Sequence, residues 1–260
     1  MTSRAAAEVA PGVFVTTSSK YDTSSIIVRS GSHVLLVDPA WTTDELDGLE
    51  RWLHAHECTV TTGFVTHAHH DHMLWHPGFG TAPRWASPTT THKAAEWRAE
   101  LEAALDAYPP EWPHPFDGIR ALDSATIPLP FGDGGGQESI ELVVHDGHAP
   151  GHTALLLADR GVLLAGDMLS DIELPLPFNP DDLPVYLDAL DRLAPVVRRA
   201  GVLVPGHGHA TNRPLARLDA DRRYLDDVLA GRDPDDPRRA LKGMDEAHAK
   251  IVQMAAALPK

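Results

Sequence analysis

Apolar positions along this chain fall into short runs with strand character, separated by stretches of helical spacing. Val13-Phe14-Val15, Ser25-Ile26-Ile27-Val28-Arg29 and His33-Val34-Leu35-Leu36-Val37-Asp38 read as strands, the last two joined by a hairpin turn at Ser30-Gly31-Ser32. Asp38-Pro39 stops the third strand, and Thr42 or Thr43 can cap a helix whose apolar positions are Leu46, Leu49, Trp52 and Leu53. Val60-Thr61-Thr62-Gly63-Phe64-Val65 reads as a buried strand and Pro83-Arg84-Trp85-Ala86 as a short one. Ser87 or Thr89 then opens a long helix running to about Ala107. The segment from Tyr108 to Phe116 holds four prolines, so it is a loop, and its aromatics must bury against something. Strands follow near 125–130, 140–145, 153–158 and 162–166, with a turn at Gly132–Gly136 and a Pro-rich loop from Leu174 to Pro180. Asp181-Asp182 open a helix with apolar positions at Leu183, Leu187, Leu190 and Leu193. A last strand spans 201–204, and 213–260 look helical apart from a break at Gly231 to Pro237.

Composition narrows the class. A chain of 260 residues, 43% hydrophobic and 23% charged, can bury a substantial core without disulfides, and Cys58 is its only cysteine. Cys58 reads as a small, largely apolar packing residue. The net charge of −15 disfavours nucleic acid, whose phosphates are bound by Lys and Arg. No run of about 18 apolar residues calls for a membrane span, and the N-terminus does not read as a signal peptide, so the expected location is the cytoplasm. The oligomeric state is left open.

The chemistry concentrates at four run ends. Thr66-His67-Ala68-His69-His70-Asp71-His72 follows the strand at 60–65. In an extended stretch His67 and His69 point to the same side. Asp71 and His72 come as the chain turns into a short helix and face a different point, so one cluster can feed two metal ions. Gly147-His148-Ala149-Pro150-Gly151-His152-Thr153, Gly166-Asp167-Met168 and Pro205-Gly206-His207-Gly208-His209 each follow another apolar run, with Gly or Pro beside the polar residue to let the backbone turn. Asp38 ends a strand at the same edge and can hold a histidine or cap a helix.

Taken in order, HxHxDH, PGHT, GD and PGHG resemble the metallo-β-lactamase superfamily, over roughly residues 10–215. The resemblance implies an α/β fold, a four-layer αββα sandwich of two mixed β-sheets flanked by helices, with 1–260 as one domain and 213–260 as its helical extension. It implies that His67, His69 and His152 hold a first metal, that Asp71, His72 and His207 hold a second, and that Asp167 bridges them. His70 should point away from the ions, while His148 and His209 should orient ligands or touch substrate. The cofactors implied are two divalent ions, zinc first, with iron(II) or manganese also suited to such N/O donors.

The function implied is hydrolysis by a metal-bridging hydroxide, with Asp71 as the catalytic residue that directs it. The apolar and aromatic loops near the site favour an ester, thioester or lactone of a small acyl substrate, with Trp112, Phe116, Phe178 and His209 as candidate contacts. A phosphodiesterase or ribonuclease of the same fold is the alternative. A non-hydrolytic metal-binding or diiron redox protein is the alternative of another class.

Overall fold

The computed structural model describes residues 5–105, 108–128, 139–178 and 181–259. The turn at Gly132–Gly136 and the end of the loop at Asn179-Pro180 lie outside them, as does the expected helix end at Ala107. Seven strands form one sheet in the order of the chain: β1 (Ala7–Ala10), β2 (Val13–Thr17), β3 (Ser24–Ser30), β4 (His33–Val37), β5 (Thr59–Phe64), β6 (Arg84–Ala86) and β7 (Ile119–Ala121). Its first four strands pair antiparallel and the rest parallel. A second sheet holds β8 (Thr126–Pro128), β9 (Ser139–His145), β10 (His152–Leu157), β11 (Val162–Leu164) and β12 (Val202–Val204), antiparallel except for β11 with β12. Helices α1 (Thr43–Ala55), α2 (Pro88–Glu96), α3 (Arg98–Ala104), α4 (Leu183–Val197), α5 (Pro214–Leu229) and α6 (Met244–Ala257) complete the fold.

Side-chain alternation builds the layers. Ile26 and Val28 of β3 and Leu35 and Val37 of β4 point inward, where they meet Leu142, Leu155, Leu157, Val162 and Leu164 of the second sheet. The residues between them, Ile27, Val34 and Leu36, point outward onto Leu46, Leu49 and Leu53 of α1. In the second sheet Ala154, Leu156 and Leu163 likewise face α4, whose other neighbours include Leu225 of α5 and Ile251 of α6. Central strands buried on both faces read as continuous apolar runs, which is why β3, β4, β10 and β11 stand out in the sequence. The result is the expected αββα sandwich of two mixed sheets.

The helix starts follow local chemistry. Thr42, not Thr43, caps α1: its hydroxyl accepts from Glu45 N–H while the Glu45 carboxylate accepts from Thr42 N–H. Asp182 caps α4 in the same sense. The long helix expected after Ser87 is two, because the chain leaves helical geometry at Trp97, whose ring packs against the cluster around Val65, Ala68 and Leu101. The expected break after α5 leads into a one-turn 3-10 helix, Pro237–Ala240. Strands β1 and β7, unexpected from the sequence, sit at the two edges of the first sheet. Among the described residues no helix is long and apolar enough to cross a membrane.

Candidate metal centre

The C-terminal ends of β4, β5, β11 and β12 meet at one edge of the sandwich, together with the β9–β10 turn. They deliver Asp38, His67 to His72, Asp167, His207 and His148. The two sheets are stitched there by backbone hydrogen bonds, Thr153 N–H to Thr66 O at 2.9 Å and Ser24 N–H to Gly206 O at 2.7 Å. Gly206 has to be glycine, because a Cβ there would overlap the Asp167 carboxylate.

Two donor groups form. In the first, His67, His69, His148 and Asp167 converge, with His67 Nε2 3.0 Å from His69 Nδ1 and His148 Nε2 3.2 Å from the same atom. Asp71, His72 and His207 make the second, with Asp71 Oδ2 at 3.3 Å from His72 Nε2 and 3.4 Å from His207 Nε2. Asp167 reaches into both: Oδ2 lies 3.3 Å from His67, 3.4 Å from His148 and 3.2 Å from His207, and Oδ1 lies 3.3 Å from His72.

His152, expected beside His67 and His69, stacks on the His67 ring at 4.9 Å. Its Nε2 accepts a hydrogen bond from the Asp167 backbone N–H at 3.0 Å, and its Nδ1 faces His145 Nε2 at 3.2 Å. The ring that lies against His69 in this structure is that of His148, four residues earlier in the β9–β10 turn. His152, the first residue of β10, fixes the backbone that carries Asp167.

Hydrogen-bond partners set the tautomers that this centre needs. Asp38 Oδ2 lies 3.1 Å from His72 Nδ1, and Tyr21 O lies 3.0 Å from His207 Nδ1. Both partners only accept, so each Nδ1 carries a proton and each Nε2 is the nitrogen that faces the centre. The same holds for His67: the Thr66 hydroxyl gives its proton to Asp38 Oδ2 at 2.5 Å and therefore accepts from His67 Nδ1 at 3.0 Å. Of the two roles open to Asp38, the structure takes the first: it holds a histidine.

Imidazole nitrogens face one another here at 3.0–3.4 Å beside two buried carboxylates, an arrangement suited to a cation between them. Asp167 Oδ1 is buried without a hydrogen-bond partner, as is His148 Nδ1. Charge follows the same logic. Burial alone would raise Asp71 and Asp167, but His72 and His207 hold both well below the usual carboxylate range. Burial opposes a proton on His72 and on His207, yet Asp167 and Asp71 push both well above the ordinary imidazole value. The carboxylates thus require positive charge at the second group, as imidazolium or as metal. In the first group burial dominates, holding His69 well down and His148 near about 3, so these rings stay neutral and able to ligate. The residues present fit two divalent ions.

The expected substrate contacts have neighbours of their own. Phe116 is buried among Val65, Ala68, Met73 and Leu101, behind the metal loop. The Trp112 ring stacks edge-on against His76 at 4.4 Å, on the α1 side of the first sheet. Pro115 O accepts from the buried Arg84 guanidinium at 2.6 Å, so the proline-rich loop is drawn onto the back of the site rather than over it. Phe178 carries Lys250 of α6 over its ring at 4.2 Å. His209 is exposed and pairs with Asp171 at 3.1 Å. His70 turns its ring toward Trp41, 5.0 Å away. Sequence reasoning missed Tyr21 and Trp41, stacked at 5.4 Å beside His207 and His70, and Glu173. Burial pushes the Glu173 carboxyl up to about 7, in a surrounding shared by His207, Asp167 and Asp71. Glu173 comes six residues after Asp167 in the loop leading to α4, a position that no residue pattern marks as functional.

An αββα sandwich with imidazole and carboxylate donors gathered at its strand ends is the architecture of a metal-dependent hydrolase. The family model of the metallo-β-lactamase superfamily matches residues 20–207, and the chain belongs to that superfamily. Solved structures with the same fold include a metallo-β-lactamase family protein from Thermus thermophilus, 22% identical, covering 97% of this chain and 96% of that one at a TM-score of 0.67. A β-lactamase domain protein from Burkholderia ambifaria is 19% identical, with 96% and 87% covered and a TM-score of 0.63. A metallo-β-lactamase from Pontibacter korlensis is 21% identical, with 83% and 95% covered and a TM-score of 0.62. No curated protein matches the chain.

Proposed function

We propose that this chain is a dinuclear hydrolase that cleaves an ester, thioester or lactone of a small acyl substrate. The observation that carries the reading is the pair of donor groups sharing Asp167. His67, His69 and His148 would hold one ion, Asp71, His72 and His207 the other, and Asp167 would touch both. Divalent metal at such a site supplies Lewis acidity and lowers the pKa of bound water toward neutrality. The protein's own part is to aim the donors and to supply negative charge beside them. Asp38 and Tyr21 O hold the Nδ1–H tautomers, and Asp71 adds a fixed negative charge that accepts a proton-bearing group from one direction. Zinc is the metal of choice, because it accepts mixed N/O donors and keeps open positions in hydrolytic sites.

The test is elemental analysis of zinc-supplied protein, followed by turnover of a lactone, an acyl thioester, a β-lactam and bis-nitrophenyl phosphate. Two ions per chain with acyl substrates turned over fastest is the expected result. One ion or none, or a clear preference for the phosphodiester, would sink the proposal.

A further inference from the structure

One surface cavity of the described residues touches the donor groups. It is a groove of about 400 Å³ between the metal loop and α3, with Ala68, His69 and His70 on one side and Trp97, Leu101 and Ala104 on the other. Ala68 and Leu101 are fully buried at its floor, and Trp97 is half-buried. The one charged residue lining it is Glu100, which is exposed. Cations on the flanking helices are already committed: Lys93 to Glu96 at 2.7 Å, and Arg98 to Glu102 and Asp117, both at 2.7 Å. The groove therefore offers apolar surface and a negative group, and its lining holds no Lys or Arg among the described residues.

We infer that this groove binds an uncharged, apolar acyl group of medium length. It runs away from His69, so a substrate whose carbonyl lies at the donor groups lays its tail along α3. At roughly 30 Å³ per heavy atom, the share of a water in the liquid, the volume suits about a dozen atoms. The substrate class rests on the hydrolase reading; the binding of an apolar chain does not.

The experiment uses the zinc-loaded full chain and two parallel readouts. Calorimetry measures the affinity of acetate, hexanoate and decanoate, and kinetics measures kcat/KM for the matching nitrophenyl esters. Affinity should rise with length by up to about fourfold per buried methylene. Ala104→Trp fills the groove from an exposed helix end, and should cut the decanoyl-to-acetyl ratio at least about tenfold in both readouts. Trp97→Ala removes a wall, and should also lower that ratio while leaving the groove open. A ratio unchanged in both variants overturns the groove, and so does a wild type indifferent to chain length. If no ester is hydrolysed but length-dependent binding is lost in Ala104→Trp, the groove stands and the hydrolase reading falls. If acetyl ester is hydrolysed without any length dependence, the reverse holds.

Discussion

The difference between His148 and His152 is one of lone pairs. Both follow a glycine, both are buried, and three residues separate them. The Asp167 amide engages His152 Nε2 and His145 faces its Nδ1, whereas His148 Nε2 faces His69. Their substitutions should therefore separate. His148→Ala should leave about one ion per chain, whereas His152→Gln should keep both ions and loosen them by roughly 10–100-fold, the scale for losing a group that supports a ligand. Metal counts and competition with a chelator measure this, and equal losses from the two changes would return His152 to the ligand set. The sequence made the donor types and their clustering plain, because HxHxDH after a strand has few other uses. It could not say which histidine of GHAPGH turns inward, since that depends on where the β9–β10 turn ends.

His145 carries a second prediction at this scale. Burial holds its pKa down to about 3, against an ordinary value of 6.5, and it touches the site only through His152. The folded-state value lies below the unfolded one. Between those two pH values the unfolded chain binds more protons, so stability falls as pH falls. This loss should begin below about 6.5 and saturate near about 3. Comparing denaturant midpoints of the wild type and His145→Gln across pH 4–8 checks it. The variant should show the shallower acid decline, and parallel curves would remove His145 as a source.

At the scale of elements, two segments that looked peripheral brace the site. The prolines at 109–115 showed a loop, and its aromatics were bound to be buried. The direction was hidden, because it depends on Arg84, which lies in a three-residue strand and reaches both Pro115 O and Met73 O at 2.6 Å. Arg238, in the 3-10 turn after α5, does the same from the other side. Its guanidinium donates to Ser170 O at 3.0 Å, Glu173 O at 2.9 Å and the buried Asp221 carboxylate at 2.6 Å, and Ser170 Oγ in turn donates to His207 O at 2.8 Å. Helical periodicity marked 213–260 as helix without indicating that it holds the loop after Asp167. Arg238→Met leaves Asp221 charged and buried without its partner, and should cost about 3–5 kcal/mol in urea unfolding. Asp221→Leu added to it should recover a good part of that loss. If the single change is as stable as wild type, the C-terminal helices do not brace the centre.

Across the whole molecule, the donors come from both sheets. His67 to His72 follow β5 of the first, while His148, Asp167 and His207 belong to the second. Two ions shared through Asp167 would therefore join the layers at the edge where the backbone already crosses between them at Thr66–Thr153 and Ser24–Gly206. Such a tie favours the folded state, because the unfolded chain cannot bring donors from both sheets together. With free zinc held about a hundredfold above its dissociation constant, binding stabilises by roughly 2.7 kcal/mol per ion. For a chain of this size each kcal/mol moves the midpoint by about 2–4 °C, so removing one ion should lower Tm by roughly 5–10 °C and removing both by more. Calorimetry before and after treatment with a chelator, then after zinc is restored, measures it. The Asp167→Ala variant should melt at the chelated value whether or not zinc is present. A wild-type midpoint that ignores the chelator, in protein shown to have carried metal, would mean that the two sheets hold this edge together without it.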